Sequence, residues 1–132
     1  MLKSAVEQGI ADIKRVYGTK SVRVVADGQG GAWVEIGSVR LSKAYTMSSS
    51  FLICLLPFSL PGADVYPVFL RHDLARRDKG PLGEGFQVTQ LQWPGEPAPR
   101  PVVQVSRRTR NNFAIQTPLQ KIEKVLEWVR TR

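Results

Sequence analysis

Apolar side chains at the start of the chain recur at every third or fourth position, which is the spacing of one face of an α-helix. Gly18 follows this pattern and is a typical helix terminator, because glycine accepts the left-handed backbone of a helix end. Gly9 lies inside the pattern and disfavours the helix by roughly 1 kcal/mol relative to alanine. The stretch still predicts an N-terminal helix that buries Leu2, Val6, Ile10, Ile13 and Tyr17.

Valine-rich and fully apolar runs come next, and they predict strands. Segments 21–27 and 32–41 flank the glycine-rich turn DGQGG, which favours a β-hairpin. The run FLICLLP at 51–57 is apolar at every position, so it predicts a central strand covered on both faces. Pro57 should end that strand, because proline has no N–H to donate to a sheet. Residues 59–101 are rich in Gly and Pro and predict an irregular crossing with one or two short strands.

The last segment, TPLQKIEKVLEWVRTR, predicts a C-terminal helix. Thr117 is the N-cap, Pro118 takes the first helical position, and Gln120 completes a capping box. The order of elements indicates a single α+β domain over residues 1–132, with an antiparallel meander of about four strands and the last helix packed on the sheet. The periodicity predicts a buried stripe of Leu119, Ile122, Val125, Leu126 and Val129, and a solvent-facing set of Lys121, Glu123, Lys124 and Arg130.

The chain carries 19 Lys and Arg against 11 Asp and Glu, a net charge of +8. This balance favours an acidic partner, against the alternative that it serves only solubility. The basic residues concentrate at 71–79 and 106–110. The longest apolar run is far shorter than the roughly 20 residues of a membrane helix, and the N-terminus lacks the apolar stretch of a secretory signal. One cysteine cannot form an internal disulfide, so we expect a cytoplasmic protein without a membrane partner.

Few residues suggest catalytic or cofactor chemistry. His72, beside Asp73, is a candidate general base, although a lone histidine is more often a surface side chain. We predict no metal, because one Cys and one His cannot supply four ligands, and no cofactor, because no glycine-rich phosphate loop is present. Cys54, inside FLICLLP, is interpreted as a small core side chain, since apolar neighbours disfavour its thiolate.

A Tyr66-Pro67 turn follows the predicted central strand and precedes the short apolar piece VFL. With the helix and hairpin before it, this order resembles the ubiquitin-conjugating-enzyme fold, in which a helix precedes a four-strand meander and a Tyr-Pro turn follows the third strand. The bacterial branch has a segment Trp/Phe-Gln-x-Phe/Trp-Ser-Arg ahead of its last helix. Here VQVSR at 103–107 matches it loosely, with valines in place of the aromatics. The resemblance covers residues 2–130 and places the fourth strand near 68–71.

The chain departs from the catalytic members of that family. They carry His-Pro-Asn and then a thioester cysteine after the fourth strand, whereas His72 is followed by Asp73 and Leu74, and no cysteine follows Tyr66. The resemblance therefore implies a non-catalytic protein-binding module in a bacterial ubiquitin-like conjugation or phage-defence pathway. Its partner would be a ubiquitin-like or activating-enzyme-like protein. The family's first helix and nearby loops contact the activating enzyme, which corresponds here to Lys3, Lys14 and Arg15.

Two other functions stay open at this stage. The loop SRRTR could bind phosphates of a nucleic acid through Arg107, Arg108 and Arg110, and the same arginines could equally bind an acidic protein. The third hypothesis is an enzyme that uses a nucleophile other than cysteine, or that uses His72 as its base.

Overall fold

The computed structural model describes residues 2–94, 96–109 and 115–132. It begins with helix α1 and ends with helix α2, and six strands lie between them along the chain. The elements are α1 (Ser4–Tyr17), β1 (Val22–Ala26), β2 (Ala32–Arg40), β3 (Ser49–Leu56), β4 (Val68–Arg71), β5 (Phe86–Leu91), β6 (Arg100–Val105) and α2 (Pro118–Arg130).

All six strands form one antiparallel sheet in the order β1-β2-β3-β4-β6-β5. The first four are neighbours in chain order, so the predicted meander is confirmed, and β4 occupies 68–71. The expectation of about four strands was too low, because β5 and β6 form a further hairpin that joins the free edge of β4 through β6. The Gly- and Pro-rich pieces lie mostly outside these two strands, although Pro101 is inside β6 opposite Gln90. The apolar pair of Phe86 with Val105 joins the start of β5 to the end of β6.

Both helices pack on the same face of the sheet and share its main core. Val6 and Ile13 of α1 and Ile122 and Leu126 of α2 are fully buried there. The C-terminal helix therefore packs on the sheet as predicted. The two helices approach closely, because a Cβ added at Gly9 would lie 2.8 Å from Cγ of Pro118. That close approach gives a physical reason for a glycine inside α1, where helix propensity alone disfavours it.

The opposite face of the sheet has its own apolar cluster, so β3 is covered on both sides as predicted. Ile53 lies in this second cluster and Cys54 in the main core, and each is 0% exposed. Arg100 lies over the rings of Phe51 and Trp93, at 5.0 and 5.9 Å from their centroids. Charged side chains thus cover the aromatic part of this face instead of leaving it open.

The predicted helix ends are confirmed. Gly18 ends α1 with a φ of 92°, and Thr117 and Gln120 form the reciprocal capping box of α2 at 3.1 and 2.8 Å. One assignment on α2 was wrong: Lys121, expected in solvent, is only 4% exposed. Its buried ion pair with Asp64, described below, is the physical reason. Neither α1 nor α2 is long and apolar enough to cross a membrane.

Candidate functional site

Cys54 is not available as a nucleophile. It lies in the middle of β3, opposite Val34 on one side and Val68 on the other. Its side chain is 0% exposed, and burial raises the pKa of the thiol to about 12. At neutral pH the reactive thiolate is therefore scarce, and no reagent reaches it without local opening of the sheet.

His72 is exposed directly after β4, and among the described residues it forms no hydrogen bond with the neighbouring Asp73. The carboxylate of Asp73 instead accepts two hydrogen bonds from the guanidinium of Arg71, one of them at 2.7 Å. These bonds lower the pKa of Asp73. A carboxylate held by an arginine does not orient the imidazole, so within the described residues His72 lacks the partner that a general base requires.

The three predicted contact residues of the first helix lie apart from the basic loop. Lys3 is exposed immediately before α1, and its backbone N–H donates to the carbonyl of Gly30. Lys14 is partly buried rather than free in solvent, and Arg15 is exposed and paired with Asp12 at 3.1 Å. No contact in the described part of the chain joins these three residues to Arg107 or Arg108.

Arg107 and Arg108 line a pocket between the end of β6 and the first turns of α2. We call it the basic pocket, and its volume is about 370 Å³. Lys124 adds a third exposed cation from α2. Arg110, the third arginine of the predicted loop, lies outside the described residues. The complete lining is Arg107, Arg108, Thr109, Gln116, Lys121, Lys124 and Val125.

Lys121 joins three parts of the chain at the floor of this pocket. Its Nζ donates to Asp64 Oδ2 and Thr109 Oγ1, both at 3.0 Å, and to the carbonyl of Arg107 at 2.5 Å. Asp64 also accepts the backbone N–H of Thr109 at 2.8 Å. Because an ammonium has three N–H donors, these bonds use all of them. Lys121 therefore holds the backbone in place and has no donor left for a ligand.

Gln116 completes this cluster with an unpaired group. The Thr109 hydroxyl lies 3.0 Å from Asp64 Oδ1 and 2.9 Å from Gln116 Oε1, although it has one proton to donate. Gln116 Nε2 is buried and has no partner among the described residues. Turning the amide over would let Nε2 donate to the hydroxyl, but Oε1 would then lose its donor. One amide atom of Gln116 thus remains unpaired in either orientation.

Two aromatic rings that lie outside the pocket lining contact its arginines. The guanidinium of Arg108 lies 3.9 Å from the ring centroid of Tyr66, in the predicted Tyr-Pro turn. Arg107 and Arg132 each lie 4.7 Å from the centroid of Trp128. Phe86 stacks on Trp128 at 5.1 Å. The structure thus brings together the turn at 66–67 and the basic loop, which the three strands β4, β5 and β6 separate along the chain.

These arginines differ from most other described arginines because their side chains have no acceptor among the described residues. In the described ranges only Arg40, Arg107, Arg108 and Arg132 have neither a carboxylate nor a carbonyl partner for the side chain. Three of these four gather around Tyr66 and Trp128. The other described arginines have acceptors: Arg15, Arg23, Arg71, Arg76 and Arg100 bind carboxylates, and Arg77 and Arg130 bind backbone carbonyls.

The sequence analysis did not place Lys121 and Asp64 in the site, although the position of Lys121 in the helical pattern indicated that it is buried. Lys121 is three residues after Pro118 and four before Val125, so it falls on the buried stripe of α2, where a lysine requires a partner. Asp64 lies in a Gly- and Pro-rich turn and gives no comparable indication. Arg132 and Trp128 line a neighbouring pocket that shares Arg107 with the basic pocket, and this arrangement is visible only in the structure.

Comparison of the chain with models of protein families, with curated proteins and with solved structures gives no match. The site is therefore interpreted from its own geometry. Among the described residues, no group of three or more His, Cys, Asp or Glu side chains is placed to hold a metal ion.

Proposed function

We propose that this protein is a non-catalytic, ubiquitin-conjugating-enzyme-like module of a bacterial ubiquitin-like pathway, and that it binds an acidic protein partner at the basic pocket. The observation that carries the proposal is that Arg107, Arg108 and Lys124 line one pocket, and that neither arginine has a side-chain acceptor among the described residues. Within the part of the chain that the structure describes, this positive charge is unmatched, whereas most other arginines bind carboxylates. Such a positively charged patch favours binding to an acidic surface through electrostatic complementarity.

The first part of the fold supports the family assignment. A helix precedes a meander of four antiparallel strands, and Tyr66-Pro67 lies between the third and fourth. The β5–β6 hairpin on the edge of β4 and the single helix after it are departures from the resemblance stated above. The buried Cys54 supports a binding role, because a thioester carrier needs an accessible thiolate.

The geometry favours a protein over a nucleic acid. Stacking with bases requires an open aromatic face, but Trp128 contacts Phe86, Arg107 and Arg132, and Arg108 covers Tyr66. The far face of the sheet offers no second basic track at Arg23 and Arg100, since Glu35 and Glu96 bind both of these arginines.

Affinity capture with the full chain tests the proposal. The bait variants are the wild type, Arg107→Glu with Arg108→Glu, and Arg40→Glu as the matched control. Arg40 is exposed and has no side-chain acceptor among the described residues, but it lies on β2 away from the pocket. We expect the wild type and the control to retain a ubiquitin-like or activating-enzyme-like protein, and the double variant to lose it.

Treatment of the captured material with nuclease separates the alternative function. A protein partner should remain bound after nuclease, because its contacts need no bridging nucleic acid. Recovery of nucleic acid alone, with affinity falling steeply between two salt concentrations, would contradict the proposal and favour phosphate-backbone binding. Equal recovery by all three baits would also contradict it, because the basic pocket would then play no part.

A further inference from the structure

We infer that the basic pocket is a binding site for a single phosphate group. The inference deepens the proposed function and rests on it, because it specifies the group with which an acidic partner enters the pocket. The phosphate could be a phosphorylated side chain of the partner protein or part of a free phosphate compound, and the experiment below separates these two sources.

The donors available to such a group are the edges of two guanidinium ions. The guanidinium carbons of Arg107 and Arg108 lie over the rings of Trp128 and Tyr66, at 4.7 and 3.9 Å from the ring centroids. A guanidinium above a ring keeps N–H groups that point away from the ring and can donate to a ligand. Paired N–H groups of arginine match two oxygens of a phosphate at once, which a lysine cannot do.

The backbone that carries these arginines is fixed before any ligand binds. Lys121 Nζ donates to the carbonyl of Arg107, and Asp64 accepts the N–H of Thr109. Both neighbours of Arg108 are therefore anchored to side chains that are largely buried, at 5% and 12% exposure. Because this backbone is already ordered, binding of a ligand costs less conformational entropy than it would in a flexible loop.

The charge balance favours a phosphate over a carboxylate. Asp64 offsets the charge of Lys121 through their ion pair. The positive charges left for an occupant are those of Arg107, Arg108 and Lys124. A phosphate monoester carries about −1.5 to −2 at neutral pH and presents three acceptor oxygens, whereas a carboxylate carries one negative charge. The pocket, of about 370 Å³, is open to solvent, so the group to which the phosphate is attached can extend out of it.

The test is an NMR titration of the full ¹⁵N-labelled chain with inorganic phosphate, with chloride at matched ionic strength as the reference. We expect saturable shifts at the amides of Arg107, Arg108 and Thr109 and in the first turns of α2. Arg108→Gln and Lys124→Gln should each weaken the fitted affinity by about tenfold, because each removes a charge-assisted hydrogen bond. Arg40→Gln is the matched control and should bind as the wild type. Thermal melting of each variant verifies that it is folded.

A phosphoserine peptide and AMP then distinguish the sources. Tighter binding of the peptide than of AMP assigns the site to a phosphorylated partner, and the reverse order assigns it to a free phosphate compound. Absence of saturable shifts, or an equal loss of affinity in the Arg40→Gln control, would overturn the inference. If neither probe binds more tightly than inorganic phosphate, the pocket takes an adventitious ion only and the inference also fails.

The capture experiment keeps this inference separate from the proposed function. If the partner is captured and neither phosphatase treatment nor added phosphate releases it, the phosphate site is wrong and the proposed function stands. If phosphate binds as expected but no protein is captured, the proposed function fails instead, and the site serves a free phosphate compound.

Discussion

Lys121 and Asp64, 57 residues apart in the chain, form an ion pair in which Nζ lies 3.0 Å from Oδ2. Their side chains are only 5% and 12% exposed. The pair connects α2 to the turn before β4, and the bond from Lys121 to the carbonyl of Arg107 adds the segment after β6. The basic pocket therefore depends on a buried charge for its shape, while its exposed charges remain free for a partner.

Removing one member of this pair should destabilise the protein strongly. Asp64→Asn or Lys121→Met alone is expected to lower the free energy of unfolding by about 3–5 kcal/mol, because the remaining charge or polar group stays buried without its partner. The double variant should recover part of that loss, since it buries no unpaired charge. Urea denaturation of the wild type, the two single variants and the double variant measures the coupling free energy between the two side chains.

The pair of Arg15 and Asp12 provides the control, with the substitution made at its exposed member. The Arg15 side chain is 67% exposed, whereas that of Asp12 is 14% exposed, so Arg15→Gln should cost no more than about 1 kcal/mol. A loss at Lys121 no larger than the loss at Arg15 would show that the buried pair does not hold the pocket together.

Lys121 also shows where sequence reasoning failed. Lys121 was predicted to face solvent because it is charged, although the helical spacing of Pro118, Lys121 and Val125 placed it on the buried stripe. The capping box at Thr117 and the double coverage of β3 depend on local chemistry and on apolar runs, and both were predictable. The partner of a buried charge lies far away in the sequence, so Asp64 could not be found from local patterns.

One or two short strands were expected within residues 59–101, but the pairing of β5 with β6 was not predicted, for a different reason. Proline and glycine are dense before and after both strands, and they outweighed the β-branched residues between them. Pairing with the edge of β4 is a tertiary contact, and it decides the outcome for short strands of moderate propensity. The contact of Arg108 with Tyr66 depends on this hairpin, so most of the candidate site became visible only in three dimensions.

Gly9→Ala should destabilise the protein although alanine is the better helix former. Propensity would favour alanine by roughly 1 kcal/mol. The new Cβ would, however, lie 2.8 Å from Cγ of Pro118 and 3.0 Å from Cδ2 of Leu56, closer than carbon atoms can pack. A lower melting temperature by differential scanning calorimetry is the expected result.

The control for Gly9 is Ala11→Gly, at an exposed position of the same helix. That change should cost about 1 kcal/mol through propensity alone. A higher melting temperature for Gly9→Ala would mean that α1 and α2 are not packed as closely as described.

The stabilising effect of Glu96 should disappear in acid. Hydrogen bonds from Arg100, and secondarily from Arg23, lower the pKa of this carboxyl below its ordinary value of 4.5. A depressed folded-state pKa stabilises the protein above the ordinary value, and the effect is lost as the pH falls through the folded-state value. Glu96→Gln should therefore be less stable than the wild type at pH 7, and the difference should shrink below about pH 4.5.

Urea denaturation between pH 7 and pH 3 measures that difference. Glu127→Gln serves as the control, because Glu127 is exposed and forms no ion pair among the described residues. A difference between Glu96→Gln and the wild type that stays constant down to pH 3 would rule out a role for the charge of Glu96.

Cys54 should behave as a core side chain. The thiol pKa of about 12, against an ordinary 9.0, makes the thiolate about a thousandfold rarer at pH 8, and burial blocks access as well. We expect DTNB to react slowly with the native protein and rapidly in denaturant. Cys54→Ala should cost about 1 kcal/mol and leave partner capture intact. A reducible adduct with a ubiquitin-like protein that vanishes in Cys54→Ala would contradict the non-catalytic assignment.

The affinity of the captured partner for charge-reversed protein tests the central claim most directly. Calorimetric titration compares the wild type, Arg107→Glu with Arg108→Glu, and the control Arg40→Glu. The account predicts that the double variant loses at least about 100-fold in affinity, since two charge-assisted contacts become repulsive. Its melting temperature should change little, because exposed charges contribute about 0–1 kcal/mol each to stability. A double variant that binds as tightly as Arg40→Glu would show that the partner does not bind at the basic pocket.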